Sequence, residues 1–269
     1  MPRILLLTST FLRHQYFIHA LCRQLDVIGV WREEKSFKPE EYAGNDDDRA
    51  VIAKHFDARD RSEEQYFKEW GDQQLPRNMV VHDLPPNTIN TPGELAAMRA
   101  LQPELILVFG SGILREGIIE AFAGKIINLH LGLSPYYRGS GTNFWPLVNG
   151  EPEYVGATIH YLDAGIDSGD IICHVRPTIT PEGGPHDLGN AAIIAAVEAL
   201  PAVVSAHARR TIHAAPQRTD IGKLYLRKHF NADAVRTLYA NFARGMILDY
   251  LREKDARDRA LDLLPVPHA

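Results

Sequence analysis

An amide and an imidazole lie two residues apart near the middle of this sequence. Asn128 and His130 occur within an apolar run at residues 126–131. Because residues i and i+2 of a β-strand point to the same face, the two side chains would project side by side. Both can donate a hydrogen bond to one oxygen atom. The pair is therefore a candidate site for stabilising negative charge on a carbonyl oxygen.

A carboxylate could join this pair from further along the chain. A Pro- and Gly-rich loop follows at residues 134–141, then a second strand pattern at residues 155–162 and an acidic loop at residues 163–170. The acidic loop contains three aspartates, Asp163, Asp167 and Asp170. If it folds back onto the end of the first strand, one carboxylate can reach the imidazole. An amide, an imidazole and a carboxylate are together the groups that acyl transfer requires.

Four short motifs follow one another between residues 125 and 172. In order, they are N-x-H, S-P-x-Y-R-G, G-x-T-I-H and D-x-G-x-D-S-G-D-I-I. This order resembles the catalytic half of the formyltransferases that use 10-formyltetrahydrofolate, a family that includes glycinamide ribonucleotide, methionyl-tRNA and amino-sugar N-formyltransferases. The resemblance is dense here and looser over the rest of residues 1–205. It implies an enzyme that moves a formyl group from 10-formyltetrahydrofolate to a primary amine of a small molecule.

The resemblance implies three catalytic residues. Asn128, His130 and Asp167 stand at the positions of the family's catalytic Asn, His and Asp, and the D-S-G phrase selects Asp167 among the aspartates of its loop. Because a formyl group on a tertiary nitrogen is an activated amide, the acceptor amine attacks it directly. Asn128 and a protonated His130 would donate hydrogen bonds to the carbonyl oxygen. Asp167 would orient the imidazole and accept a proton.

The resemblance also implies residues that bind the folate. A G-S-G turn at residues 110–112 follows a buried strand pattern, and ligands of open parallel sheets bind beyond the carboxyl ends of the strands. In the family, the matching turn gives backbone contacts to the pterin, although G-S-G alone does not exclude a plain strand-to-helix turn. The expected folate-binding residues are Gly112, Ile113, Leu114, Asp163 and Asp167.

Three residues are candidates for binding the acceptor amine. Arg13 lies in the turn after the first strand and could bind an anionic group, or it could lie at a solvated helix start. Tyr136 and Arg138 belong to the loop opposite the two donors. Arg138 could bind an anionic part of the acceptor or hold the loop by a salt bridge. On the next strand, His160 could line the site or pack in the sheet.

The sequence indicates neither a metal nor a dinucleotide cofactor. His130 has aspartates nearby, but no second histidine stands at the ligand spacing of H-x-H or H-E-x-x-H. The turn after the first strand, residues 8–14, contains no glycine, so the G-x-G-x-x-G fingerprint is missing there. The purine-pathway members of the family carry a glycine-rich turn at this place for the phosphate of their substrate. Its absence argues against glycinamide ribonucleotide as the acceptor.

The elements around these residues predict a Rossmann-like α/β fold, with a mostly parallel twisted sheet and helices on both faces. Residues 3–8 and 105–109 are continuous apolar runs, which are typical of strands buried on both faces. Helical spacing at residues 11–25 and a strand pattern at residues 27–31 complete a β-α-β unit. Such a unit opens a parallel sheet.

Changes in composition divide the chain into two parts. Residues 1–208 are expected to form the formyltransferase catalytic domain, and residues 209–269 a small C-terminal strand and helix extension. The catalytic domain includes a charged helical insertion at residues 35–76, which is either a solvated face or a substrate lid.

Capping residues and apolar spacing locate the helices. The expected helices, with their N-caps, are residues 47–56 (Asp46), 62–70 (Ser62), 91–101 (Thr91) and 187–206 (Asp187), and a last helix covers residues 232–251. Residues 252–259 are expected to be a solvated charged end.

Composition and charge favour a globular enzyme of the cytoplasm. The chain is 45% hydrophobic and 23% charged, which is ordinary for a globular protein. Its net charge of −5 argues against a nucleic-acid partner. The two cysteines show no framework spacing and suit a reducing compartment, and the N-terminus resembles neither a secretory signal nor a membrane span. No membrane partner is expected, and a homo-oligomer is compatible with the sequence.

Other functions stay open at this level. Methionyl-tRNA is less favoured than an amino sugar or amino-acid derivative, because that branch of the family carries a large basic C-terminal domain and only a short segment of mixed charge follows His207. A formyltetrahydrofolate hydrolase would use water in place of the amine, but the regulatory domain of the known hydrolases is missing. A non-catalytic folate or nucleotide binder is disfavoured because all three catalytic positions are intact.

Overall fold

Alternating strands and helices build one large sheet with helices on both faces. The computed structural model describes residues 1–36, 38–165, 167–218 and 220–268. The strands are β1 (Ile4–Thr8), β2 (Val27–Glu33), β3 (Val80–Leu84), β4 (Leu105–Val108), β5 (Ile126–Leu131), β6 (Tyr137–Gly139), β7 (Ala157–Tyr161), β8 (Ile171–Val175) and β9 (Lys223–Tyr225). The helices are α1 (Leu12–Cys22), α2 (Asp46–Gly71), α3 (Pro92–Leu101), α4 (Glu116–Ala121), α5 (Trp145–Val148), α6 (Pro185–Ala208), α7 (Ala232–Ala243) and α8 (Met246–Arg259).

The large sheet has the strand order β3-β2-β1-β4-β5-β7-β8. Neighbouring strands from β3 to β5 are parallel, whereas the β5–β7 and β7–β8 pairs are antiparallel. The predicted Rossmann-like, mostly parallel sheet is therefore confirmed. The chain adds β2 and then β3 on one side of β1 and afterwards returns to add β4 on the other side. A crevice therefore opens at the carboxyl ends of β1 and β4.

Two apolar clusters cover the two faces of the sheet. On one face, α1 and α6 pack against the strands through side chains such as Phe17 and Leu200. On the other face, α3 and α4 do so through Met98 and Ile118. By length and composition α6 could cross a bilayer, but 44% of its most apolar window is buried inside the protein. Its apolar sequence is explained by its position against the sheet, α1 and α2.

The charged insertion forms one continuous helix, α2, so the prediction of two short helices is wrong. The residues that should have separated them, 57–61, read DARDR and contain neither glycine nor proline. Alanine and arginine are strong helix formers, so nothing interrupts the helix there. The buried face of α2 carries Ile52, His55 and Phe67, and it packs against α1, α6 and α7.

The helix starts differ from three of the four predicted N-caps. Asn45 caps α2, because its side-chain oxygen accepts a hydrogen bond from the backbone N–H of Asp48 at 2.8 Å. Gly184 precedes α6, whose first residue is Pro185, the residue type that helices favour there. Asp187 accepts the Gly184 N–H at 2.9 Å from inside the helix. The predicted N-cap Thr91 is confirmed, whereas the predicted N-caps Asp46, Ser62 and Asp187 are wrong.

The predicted helix at residues 232–251 is in fact two helices, α7 and α8. Gly245 separates them with a φ of 89°, a left-handed conformation that glycine adopts without steric cost. The segment 252–259 is largely exposed, as expected, and it is helical, because it forms the second half of α8. There Asp258 forms an ion pair of 2.9 Å with Arg176, which anchors α8 near β8.

The C-terminal extension covers the Pro- and Gly-rich loop. Its strand β9 pairs with β6 of that loop in a second, small parallel sheet. Helices α7 and α8 share an apolar cluster with α5, formed by side chains such as Leu147, Leu238 and Tyr250.

Candidate active site

Strand β5 carries the amide and the imidazole to the carboxyl edge of the parallel strands. Alternation along the strand places Asn128 and His130 on one face. The register pairs Asn128 with Val108 of β4 on one side and with His160 of β7 on the other. His130 is only 8% exposed. Hydrogen-bonded neighbours on both sides of β5 thus fix both side chains on a rigid support.

Asp167 reaches this pair from the acidic loop. Its Oδ1 lies 3.3 Å from Nδ1 of His130 and 3.9 Å from Nε2 of His160. Its Oδ2 accepts the backbone N–H of Gly139 at 3.2 Å. The residue has a φ of 46°, in the left-handed region that aspartate tolerates better than most residues. The structure therefore brings Asn128, His130 and Asp167 into one cluster.

The charges around Asp167 keep its carboxyl group ionised. Burial alone would raise the pKa of Asp167. The charge and hydrogen bond of His130, the neighbouring His160 and the Gly139 N–H together hold that pKa below its ordinary value. The carboxylate is therefore available as a hydrogen-bond acceptor for His130 at neutral pH.

His160 orients the amide of Asn128. Its Nδ1 lies 2.8 Å from the carbonyl oxygen of Tyr161, which can only accept, so Nδ1 carries the proton. Its Nε2 then accepts a hydrogen bond from Nδ2 of Asn128 at 3.1 Å. Burial, followed by the charge of His130, lowers the pKa of His160, which keeps the ring neutral. Of the two alternatives that the sequence left open, the structure places His160 in the site.

Nε2 of His130 is the group of this cluster without a partner. It is buried and makes no hydrogen bond with any residue that the structure describes. Gly132 lies beside it with a φ of 126°, and a Cβ atom there would be 3.3 Å from Nε2 and would overlap Thr142. Glycine at this position therefore leaves the surroundings of Nε2 clear on one side.

A network of hydrogen bonds holds the loop after β5. The Thr158 hydroxyl donates to the carbonyl oxygen of Gly132 at 2.7 Å and accepts the N–H of Ser134 at 2.8 Å. His174 contacts the carbonyl oxygen of Ser134 at 2.7 Å through Nε2. Its Nδ1 accepts the N–H of Leu264 at 2.9 Å, so the Nε2–H is the donor to Ser134. The loop is thus tied to β7, to β8 and to the C-terminal tail.

The turn expected to bind folate extends beyond the same edge of the sheet. Gly112 packs so closely on Glu33 that a Cβ atom would overlap the carboxylate. The Ile113 side chain is 86% exposed, and its carbonyl oxygen accepts a hydrogen bond from Asn90 at 2.8 Å. Leu114 is 7% exposed and packs in the core, so only its backbone is free to contact a ligand.

Asp163 shapes the acidic loop instead of pointing to the catalytic cluster. Its Oδ1 accepts the N–H of Gly165 at 3.0 Å and the hydroxyl of Ser168 at 2.9 Å. It is an exposed residue of the segment that presents Asp167.

The three residues expected to bind the acceptor have partners within the protein. Arg13 forms an ion pair with Glu63 of α2, and burial lowers its pKa. The hydroxyl of Tyr136 accepts the N–H of Asp262 at 2.9 Å. Arg138 lies on β6, opposite Leu224 of β9. Of the three, Arg13 lines a cavity next to β5.

That cavity has a volume of about 240 Å³ and lies between α1, α2, α5 and α6. Leu131, the residue after His130, forms part of its wall, together with Asn143, whose Nδ2 makes no hydrogen bond to a described residue. His55 and His186 face it as neutral rings, because burial lowers their pKa values to about 3 and about 4. No pattern in the sequence points to His55 or His186, since they come from helices far apart in the chain.

Metal-binding geometry is not found in the described part of the chain. Among those residues, no group of three or more His, Cys, Asp or Glu side chains could hold a metal ion.

Comparison with known proteins identifies the family. A family model described as formyl transferase matches residues 41–204. The chain belongs to the formyl transferase family. This formyltransferase is 38% identical over 100 residues to a methionyl-tRNA formyltransferase of Geobacter metallireducens, a match that covers 37% of the chain and 32% of that enzyme. The chain thus matches about a third of the length of this relative.

Solved structures share the fold of this formyltransferase. A phosphoribosylglycinamide formyltransferase from Anaplasma phagocytophilum has a TM-score of 0.56 at 16% identity, over 84% of this chain and 98% of that one. The formyltransferase PseJ from Anoxybacillus kamchatkensis, solved with UDP-4,6-dideoxy-4-formamido-L-AltNAc and tetrahydrofolate, has a TM-score of 0.50 at 18% identity, over 88% and 90% of the two chains. These comparisons show the family and the fold of the chain and leave its acceptor open. The expectation of no nucleic-acid partner is in partial conflict with the methionyl-tRNA relatives.

Proposed function

We propose that this protein transfers the formyl group of 10-formyltetrahydrofolate to a primary amine of a small molecule. One observation carries the proposal: Nε2 of His130 has no partner among the described residues while its Nδ1 faces the carboxylate of Asp167 at 3.3 Å. A donor aimed at a developing oxyanion needs this arrangement, in which one ring nitrogen is oriented and the other is free.

The catalytic roles follow from the contacts of each side chain. Asp167 stabilises a positive charge on His130, whose Nε2–H then donates to the formyl oxygen. Asn128 donates its second N–H to the same oxygen, since His160 takes the first. The new C–N bond forms while the bond from the formyl carbon to N10 of the donor breaks. The proton lost by the amine passes to Asp167, directly or through water, and N10 of the departing folate takes up a proton.

The folate would lie over the turn after β4 and the acidic loop. The exposed apolar side chain of Ile113 and the backbone of Gly112 support a planar ring there. Asp163 and Ser168 hold the acidic loop in the form that presents Asp167. A free metal ion has no place in this reaction, because the donors and the carboxylate supply the charge.

The acceptor amine would occupy the cavity beyond Leu131. Its walls combine apolar groups, neutral imidazoles and side-chain amides with the charged residues Arg13, Arg59 and Glu63, which suits a small polar molecule such as an amino sugar or an amino-acid derivative. The charge of Arg13 is already opposed by Glu63. Helix α2 forms one wall and is packed on three other helices, so in this proposal the insertion shapes the acceptor site as a fixed wall.

A second candidate acceptor is methionyl-tRNA, favoured by the sequence relatives. One observation weighs against it: the chain has a net charge of −5. A third outcome, hydrolysis of the donor by water, needs only the folate site and the catalytic cluster.

One assay separates these outcomes. The protein is incubated with 10-formyltetrahydrofolate, with and without each member of a panel of amines that includes methionyl-tRNA, and tetrahydrofolate, formate and formylated products are measured. Tetrahydrofolate that forms only with a small amine supports the proposal. Formate released without amine indicates a hydrolase, and formylmethionyl-tRNA indicates the second candidate. No turnover of the donor under any condition refutes all three.

A variant pair links the activity to the site. His130→Ala removes the donor at the formyl oxygen, so we expect kcat to fall by about 100- to 1,000-fold. The matched control His213→Ala removes an exposed histidine outside the cluster and should keep wild-type kcat. Equal activity of the two variants would contradict the role of His130.

A further inference from the structure

A segment of the C-terminal extension runs along both parts of the chain that hold Asp167. We call residues 215–218 and 220–225 the strap. Its first half contacts the acidic loop, and its second half, which contains β9, contacts the loop after β5. The two loops are separated in sequence by α5 and β7, and the strap bridges them.

The first half of the strap fixes the C-terminal end of the acidic loop. Ala215 exchanges two backbone hydrogen bonds with Ile171, of 2.8 and 2.9 Å. Gln217 donates through Nε2 to the carbonyl oxygen of Gly169 at 2.7 Å. Gly169 lies two residues after Asp167, and a Cβ atom there would overlap the backbone of Tyr161. This end of the loop therefore has little room to move.

The second half of the strap fixes the backbone donor to Asp167. Strand β9 pairs with β6 in parallel, and the N–H of Lys223 donates to the carbonyl oxygen of Tyr136 at 2.8 Å. The N–H of Ser140 donates to the carbonyl oxygen of Tyr225 at 2.7 Å. Between these bonds lies Gly139, whose N–H is the donor to Asp167.

Glycine is required at position 139 by this close approach. Gly139 has a φ of 92°, and a Cβ atom would overlap the carbonyl oxygen of Tyr225. The strap strand is itself anchored, because the ring of Tyr225 stacks on Trp145 at 4.2 Å and Lys223 pairs with Glu151 at 3.0 Å.

We propose that the strap is a positioning element for formyl transfer, which holds Asp167 against His130 by fixing the acidic loop and the Gly139 N–H at a set distance from each other. This inference rests on the proposed function. The contacts of Asp167 with His130 and Gly139 measure 3.3 and 3.2 Å, so they are already long. A further displacement of about 1 Å in such a group can cost about 100-fold in rate. A short loop with a residue in the left-handed region needs external support to keep this geometry.

Two variants remove strap contacts without touching the catalytic cluster. Gln217→Met deletes the donor to the carbonyl oxygen of the buried Gly169, so the melting temperature should fall. It also deletes Oε1, which is buried without a hydrogen bond to a described residue, and this limits the loss of stability. Lys223→Pro deletes the N–H that donates to Tyr136. Its matched control, Lys223→Ala, keeps this N–H and loses the side-chain contacts that Lys223→Pro also loses, which are those with Glu151 and with the hydroxyl and ring of Tyr137.

The readouts are kcat, KM for both substrates, the pH profile of kcat and the melting temperature. We expect kcat of Gln217→Met and Lys223→Pro to fall by about 10- to 100-fold with KM little changed, because the folate and acceptor contacts remain. The Gly139 N–H helps to lower the pKa of Asp167, so its loosening should move the acid limb of the profile to higher pH. Among the described residues, the ionisable groups beside Asp167 are His130 and His160, with Asp163 and Asp170 in the same loop, and neither variant alters them. Lys223→Ala should keep the wild-type profile.

Failure of the proposed function and failure of the strap proposal give different results in these experiments. If the wild type shows no formyl transfer with any amine, the proposed function falls. If the wild type is active and Gln217→Met, folded by its melting curve, keeps wild-type kcat and pH profile, the strap proposal is overturned. A loss of kcat explained by a lower folded fraction, with an unmoved pH profile in both variants, would also overturn it, because a purely structural role changes only the amount of active enzyme.

Discussion

The contact between His160 and Asn128 permits a sharp test of the site. Nε2 of His160 accepts from Asn128 at 3.1 Å, and Nδ1 donates to the carbonyl oxygen of Tyr161 at 2.8 Å. In His160→Asn, the side-chain amide lies near the place of Nδ1 and keeps the bond to Tyr161, but Asn128 loses its acceptor. In His160→Gln, Oε1 lies near the place of Nε2 and keeps the bond to Asn128. Because burial keeps His160 neutral, neither change removes a charge.

The expected size of the effect follows from the two bonds. A hydrogen bond in a protein contributes about 0.5–1.5 kcal/mol net, and about 1.4 kcal/mol corresponds to a tenfold change in rate. Complete loss of an oxyanion donor costs about 100- to 1,000-fold. The loss of rate for a donor that is present but no longer oriented should lie between these limits. We therefore expect kcat of His160→Asn to fall by about 10- to 100-fold, and kcat of His160→Gln to stay within about tenfold of the wild type.

The assay is steady-state formation of tetrahydrofolate at saturating donor and acceptor, with melting temperatures measured in parallel. KM should change little in either variant, because His160 reaches the reaction through Asn128. His160 is 1% exposed, so both variants should melt earlier than the wild type. Equal losses of kcat in the two variants, or a larger loss in His160→Gln, would refute the reasoning, since the variants differ in which bond they keep.

Two further predictions concern charge. Asp167→Asn keeps an acceptor for the Gly139 N–H but loses the charge that favours a protonated His130, so kcat should fall by about 100-fold or more and the acid limb that reports Asp167 should disappear from the pH profile. His55 has a pKa lowered by burial to about 3 from 6.5, so only the unfolded chain binds this proton at intermediate pH, and stability should fall as the pH drops below about 6.5. The measurement is denaturant unfolding at pH 7 and pH 5. Between these pH values, the free energy of unfolding should fall by about 2 kcal/mol less in His55→Phe than in the wild type. The difference between the two proteins is the quantity measured, because His14, His160 and His174 act in the same direction. An equal pH dependence of the free energy of unfolding in the two proteins would contradict the prediction for His55.

The catalytic strand could be predicted from sequence because its signals are local. Residues 126–131 form a strand with the predicted bounds, and the alternation of side chains within it puts Asn128 and His130 on one face without any knowledge of the rest of the fold. Asp167 needed the order of motifs as well, since several aspartates occur in its loop.

The cavity next to this strand could not be predicted, for the opposite reason. His55 lies on α2 and His186 on α6, and their rings come within 4.6 Å only because the two helices pack together. Tyr239 of α7 adds a hydroxyl 3.2 Å from His55. No spacing in the sequence encodes a contact between three helices.

The helix errors have a common physical origin. Asp46, Ser62 and Asp187 are good capping types, but a cap is defined by the backbone bend before a helix, and side chains such as Ser62 can bond across to another helix instead. The break between α7 and α8 lies at Gly245. A glycine within an apolar repeat does not by itself predict a break, because glycine also occurs inside helices. Tertiary packing decides between these outcomes.

The two histidines of the site have opposite roles because their Nδ1 atoms meet different partners. Nδ1 of His130 faces a carboxylate at 3.3 Å, which orients the ring so that Nε2 is left for the formyl oxygen. Nδ1 of His160 faces a carbonyl oxygen in a buried place, and the charge of His130 further opposes protonation there, so Nε2 remains an acceptor. In the proposed reaction, a positive charge on His130 would lower the pKa of His160 and so help to keep that ring neutral. The same charge that would polarise the formyl oxygen thus preserves the acceptor that aims the second donor, Asn128, at that oxygen.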